Sequence, residues 1–274
     1  MARTSFDQLG FALGLAALLL AGCGGREAAA PAPAPSPGGA SAEDAGYLAP
    51  PALTGAVRGA GNLTLTGTAP AGGQVRLASP DGRVLTADVD GRGGWTLTVP
   101  TPGAPSMFAF SAQIPGRVVR GEGAVLLAPA PGPPALLLRP GFAALSVGLT
   151  PTGPVIVAVD YDASGGTAVA GLAAPNAPVR LSLDGVLAAG GQSDSQGRFA
   201  MMAANATLAP GARTIEVETT SGQADVRIMM SPPTPLEGAP YRAARQGGAW
   251  RIDWAPPGGG VQTSLVFDLP GPTP

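Results

Sequence analysis

The chain of 274 residues contains no histidine, and its 16 basic residues are all arginine. Without imidazole there is no ordinary general base, and without lysine no amine for a Schiff base or a Ser-Lys dyad. No serine stands in a G-x-S-x-G elbow, so a conventional hydrolytic triad is excluded. The single cysteine allows neither an internal disulfide nor a thiolate cluster for zinc. Charged residues make up 12% and aromatic residues 5%, and the net charge of −2 leaves no basic footprint for nucleic acid. Two carboxylates can still hydrolyse a glycoside, yet the 18 acidic residues are scattered over turns and strand faces with no cleft implied around any pair. The expectation is a chain that is not an enzyme, with no catalytic residues, no cofactor, no metal site and no nucleic-acid partner.

What the chain has in quantity is glycine (42) and proline (31), spread between short runs of valine, leucine and threonine. In that distribution the two residues act as turn punctuation, and with 45% apolar content for a core they predict an all-β protein. One patch departs from the pattern. Residues 24 to 52 hold almost nothing large and apolar except Tyr47 and Leu48, and their alternating Ala-Pro favours an extended polyproline II spacer of about 3 Å per residue.

Ahead of the spacer, Arg3 supplies a positive start, "FALGLAALLL" a short apolar run, and "AG" small residues before Cys23. The run is too short to span a bilayer comfortably as a mature helix. Leu20-Ala21-Gly22-Cys23 resembles the lipobox of bacterial lipoproteins. That resemblance implies cleavage after Gly22, a diacylglyceryl thioether on Cys23 and an acylated new amino terminus. Several acyl chains on one residue give stable anchoring, at about 0.8 kcal/mol for each buried methylene. Gly24 follows in place of an aspartate, which the resemblance associates with the outer membrane, facing the periplasm or the surface.

After the spacer the chain repeats itself. "GTAPAGGQVRLASPDGRVLTADVDGRGGW" from Gly67 aligns with "GLAAPNAPVRLSLDGVLAAGGQSDSQGRF" from Gly171 at one constant offset. Val75-Arg76-Leu77 matches Val179-Arg180-Leu181, Asp90 matches Asp194, Gly93 matches Gly197, and Trp95 stands opposite Phe199. Each copy reads as strand and turn in alternation, with apolar residues at every second position. A closing hairpin common to both copies is expected from "PTGPVIVAVDYD" and "PPGGGVQTSLVFD". Short strands in units of this length, with D-x-x-G-x-aromatic turns in "DGRGGW" and "DSQGRF", resemble the tandem Ig-like and carboxypeptidase-regulatory-like modules of bacterial envelope proteins. The resemblance implies two β-sandwiches and no activity of its own.

Four features are weighed as sites. Asp90 and Asp194 sit at glycine-rich turns, where a carboxylate more often caps its own turn than binds calcium. "DYDASGG" places Asp160, Asp162, Ser164 and Gly165 as in the first half of an EF-hand loop, but Gly171 falls where the bidentate glutamate belongs. "GAWRIDW" puts Trp250, Ile252 and Trp254 on one strand face and Arg251 and Asp253 on the other. That aromatic stripe is expected in the core; exposed, it would form a glycan platform with Tyr241 or Tyr161. "PPGGGV" lacks the lysine and following helix of a phosphate loop and reads as a hairpin turn.

The division expected is a signal peptide at 1–22, the lipidated Cys23 and a disordered tether at 23–52, sandwich units at 53–150 and 151–233, and a hairpin at 234–274 completing the second unit. The function expected is a structural or protein-interaction module of the cell envelope, held to the membrane by its lipid and meeting an envelope protein through sheet edges or loops. The alternatives are a glycan or peptidoglycan binder using Trp250, Trp254 and Tyr241, and an accessory subunit of an envelope transport or assembly complex. Replacing Cys23 with serine removes the acceptor thiol, so the expected result is an unprocessed chain lost from the outer-membrane fraction. Normal fractionation of that variant would refute anchoring at this residue.

Overall fold

The computed structural model describes residues 46–150, 153–203 and 209–269. The signal segment, the lipobox, Cys23 and most of the spacer lie outside them. The described residues build one compact unit from Gly46 onward, in which every regular element is a strand.

The first half contributes β1 (Ala52–Arg58), β2 (Asn62–Thr68), β3 (Gln74–Ala78), β4 (Val84–Asp88), β5 (Gly94–Pro100), β6 (Ser106–Ile114), β7 (Arg117–Leu127), β8 (Ala135–Leu138) and β9 (Leu145–Val147). The second contributes β10 (Val155–Asp162), β11 (Thr167–Leu172), β12 (Pro178–Leu183), β13 (Val186–Gln192), β14 (Arg198–Met202), β15 (Gly211–Thr219), β16 (Gly222–Met230), β17 (Tyr241–Gln246), β18 (Ala249–Trp254) and β19 (Gln262–Phe267). The alternation that makes them strands is plain in β2, where Leu63 and Leu65 point inward and Thr64 between them outward.

The repeat in the sequence is a repeat of topology. Sheet order β1-β2-β5 in the first half answers β10-β11-β14 in the second, and β4-β3-β6-β7 answers β13-β12-β15-β16. Each pair of sheets closes on its own apolar core, with Leu63, Leu77, Trp95 and Phe110 in one and Val169, Leu181, Phe199 and Ile215 in the other.

The halves differ in what is added. The first half adds β8 and β9 beside β7, making a six-stranded sheet β4-β3-β6-β7-β8-β9. The second adds β19, β18 and β17 beside β10, making β14-β11-β10-β19-β18-β17. These two enlarged sheets turn their outer faces toward each other. A third core lies between them, with Met107, Leu126, Leu136 and Leu138 from one side and Ala158, Ala170, Ile252, Trp254 and Val266 from the other. Because the second half's enlarged sheet is covered on both faces, β11 and β19 are buried along their whole lengths.

Two expectations are corrected here. "PTGPVIVAVDYD" does not close the first unit. Its strand β10 opens the second half, pairing with β11 as β1 pairs with β2. It resembles the β19 segment because the two lie side by side in one doubly buried sheet, in direct antiparallel register from Ala158↔Val266 to Asp162↔Gln262. The segment after residue 233 contributes three strands to that sheet, one more than a hairpin supplies.

The repeated glycine at the head of each copy has a steric cause. Gly67 pairs across the ladder with Trp95, and Gly171 with Phe199, so the ring of each aromatic lies over a residue without a side chain. A Cβ on Gly171 would stand 2.3 Å from the Phe199 ring and 2.2 Å from the Val155 carbonyl oxygen. At Gly67 the corresponding distances are 2.5 Å to the Trp95 ring and 2.0 Å to the Ala52 oxygen. Gly171→Ala is therefore expected to cost about 2 kcal/mol or more in a urea unfolding experiment. Gly190→Ala, where a Cβ meets nothing within 4 Å, is expected to change stability little. Equal midpoints for the two variants would overturn the steric reading.

Candidate functional site

The D-x-x-G-x-aromatic turns are the same object in both halves. The Asp90 carboxylate accepts the Arg92 and Gly94 N–H groups at 2.8 Å each, and Asp194 accepts those of Gln196 and Arg198 at 2.9 Å. Gly93 and Gly197 follow with φ of 84° and 77°, a backbone region open to glycine. These aspartates hold turns and are spent on backbone donors.

The half EF-hand does not assemble. Asp162 caps its own turn, accepting the Ser164 N–H at 2.8 Å and the Ser164 hydroxyl at 2.6 Å. Asp160, two residues earlier in β10, is only 2% exposed, inside the core between the sandwiches.

The aromatic stripe packs inward and forms no open platform. Trp254 is 1% exposed, its indole N–H donating to the Ser264 hydroxyl at 3.2 Å, so no sugar ring reaches its face. Trp250 is half-buried against the same core, with the Arg245 guanidinium 5.1 Å from its ring centre. Arg245 is itself held there by Asp268. Tyr241 is half-buried and donates its hydroxyl to the Pro105 carbonyl at 3.4 Å, joining the two halves. The physical reason is that β18 is an interior strand of a covered sheet. Its other face is buried too, where Arg251 donates to both Asp253 oxygens at 3.1 Å, to the Tyr161 hydroxyl at 3.2 Å and to the Pro232 carbonyl at 2.8 Å.

Two arrangements were not drawn from the sequence. The first is a polar anchor within the third core. The backbone N–H of Ala144, in the turn between β8 and β9, donates to Asp160 at 2.7 Å. The Ser264 hydroxyl donates to the other Asp160 oxygen, completing a string from the Trp254 indole through Ser264 to the carboxylate. Beside it, Gly141 N–H donates to the Gln262 side chain at 3.0 Å, and Arg139 braces the turn by donating to the Ala143 carbonyl at 2.9 Å. Burial pushes the Asp160 carboxyl from its usual 3.8 up to about 6, against the opposing pull of the Ser264 and Ala144 hydrogen bonds.

The second arrangement is a groove of about 700 Å³ on the outer face of β3, β6 and β7, where the second sandwich stops covering it. Cross-strand register lays its floor out in rows. Arg76, Ser111 and Arg120 stand opposite one another, and the next row is Ala78, Ala109 and Ala124. Pro240, Ala255 and Pro257 of the second half form the far bank. Strand β7 bulges between Arg120 and Ala124, where Gly121 lets the Phe110 ring lie against the backbone. The only hint in the sequence was an arginine at an outward position of each copy's "VRL".

No family model and no curated protein matches the chain. Among solved structures it is similar to a central fibronectin-III array of RIM-binding protein, with 14% identity over 76% of this chain and 71% of that one, at a TM-score of 0.26. The all-β assignment rests on the strand order of the chain itself.

The anchor gives stability a definite pH dependence. Folded Asp160 holds its proton more tightly than the unfolded chain does, so its contribution is present in full below about pH 4 and is lost as pH rises through about 6. Urea midpoints measured across that window should fall for the wild type through this group and show a reduced slope in Asp160→Asn. An unchanged slope in the variant would remove Asp160 as the titrating group.

Proposed function

We propose that the protein is a lipid-anchored cell-envelope module whose task is to hold a partner protein, with no reaction of its own. The observation that carries this reading is the locked pair of sandwiches. A third core and the Asp160 anchor join them into one body, and at the margin of their contact an open groove is left with walls from both halves. A surface composed from two units is useful for recognition only if the units do not move against each other, and the anchor supplies that condition.

The lipobox ending at Cys23 and the proline-rich spacer support a tethered position in the bacterial envelope, at the outer membrane. Asp90, Asp162 and Asp194 are committed to turns, Asp160 to the anchor and Arg251 with Asp253 to a buried ion pair, which supports a binding role over catalysis. An envelope protein is the partner class that this reading favours, because unpaired edges at β4, β13 and β17 and the groove all present backbone and apolar surface together.

Photo-crosslinking residues placed in cells at Val84, Val118 and Val186, all exposed, test the proposal. A discrete protein adduct from at least one position, dependent on Cys23, is the expected result. Lipid or glycan adducts alone, or none at any of the three, would overturn it.

A further inference from the structure

Resting on the interaction role just proposed, we infer that the groove beside the second sandwich is a docking site for an acidic polyproline II segment of the partner, with a carboxylate at every third residue. The first ground is charge. Arg76 and Arg120 flank Ser111 in one cross-strand row, and neither forms an ion pair among the described residues. Against them stands Glu122, an exposed residue of the bulge, which leaves the row with a cationic excess. The second half shows what a neutralised version looks like, since the residue opposite Arg180 on the neighbouring strand is Glu218. In the first half a small hydroxyl takes that place, so the row keeps its charge and gains a hydrogen-bond donor between the two guanidinium groups.

The second ground is spacing. Arg76 and Arg120 stand on strands separated by β6, two strand spacings or about 9.5 Å apart. A polyproline II helix advances about 3.1 Å per residue with three residues per turn, so side chains at i and i+3 project from one face about 9.3 Å apart. An extended β-strand offers no such match, because same-face residues recur at about 6.7 Å.

The third ground is the shape of the trough. The alanine row beside the arginines is low, and the prolines of the far bank are apolar and rigid. A ligand lying along the trough places its acidic face against the arginine bank and its proline rings on the alanine floor. Because the floor is the face of a sheet with its ladder bonds already made, the ligand gains no backbone pairing from it. A segment that needs none, and that loses little entropy on ordering, fits such a floor.

The probe is an acetylated peptide of four Glu-Pro-Pro repeats, titrated against the mature chain by fluorescence anisotropy. Controls are the Gln-Pro-Pro peptide of equal length and a Glu-Pro peptide, in which the carboxylates recur at every second residue. The expected result is affinity at least about tenfold higher for Glu-Pro-Pro than for either control, weakened by salt. In Arg76→Gln, Arg120→Gln that preference should fall to the level of the neutral peptide, with the urea midpoint retained because both side chains border solvent. No saturable binding at millimolar peptide, equal affinity for the three peptides, or a preference unchanged in the double variant would overturn the inference. If the in-cell adducts persist while peptide binding fails, the groove assignment falls and the interaction role stands.

Discussion

The arrangement of the whole body depends on one buried contact, the hydrogen bond from the Ala144 backbone to the Asp160 carboxylate. The apolar layer between the two six-stranded sheets supplies most of the adhesion, but it is rich in alanine and has little directional preference. A carboxylate in that layer changes the situation. Left without donors it would be costly to bury, and in the observed alignment Ala144, Ser264 and the neighbouring Gln262 contacts satisfy the groups around it. The anchor therefore selects one alignment of the sandwiches out of many that the apolar surfaces alone would tolerate.

The fixed alignment gives the groove its form. Its floor belongs to β3, β6 and β7 and its far bank to loops around β17 and β18, so its width is set by how the halves dock. The alanine row matters to both sides of this edge. Under the second sandwich the face carries Met107 and Leu126, which fill space, and just beyond it the small side chains leave the step that becomes the trough.

Much of this was legible in the residues. The period-two alternation, the turn chemistry of Asp90 and Asp194 and the repeat of "VRL" specified strands and turns, because those signals are local. The glycine opposite each aromatic was visible as a repeated letter, although its reason required the ladder that sets Gly171 under Phe199. Where the reading failed, the decisive fact was which face of an apolar strand met which neighbour. Trp254 has the same spacing whether its sheet is covered on one side or on both, and it is buried in the layer it shares with Met107 and Leu126 of the first half. Asp160 drew attention as half of a metal loop because it stands two residues from Asp162, although its neighbours in "VIVAVDYD" are apolar. A lone acid in such a run was the signal for a buried anchor. Arg76 and Arg120 are far apart in the chain, and their common row exists only through the register of β6 with both neighbours.

The strands added to the two halves sit on different sheets of an otherwise repeated unit, and each addition serves as the other's counterpart. The copies are therefore no longer interchangeable beads. One carries the donor turn and the other the acceptor carboxylate, and the union uses up both. At this contact a third unit of either kind would find no free complement, whereas a simple repeat presents the same surface to each neighbour.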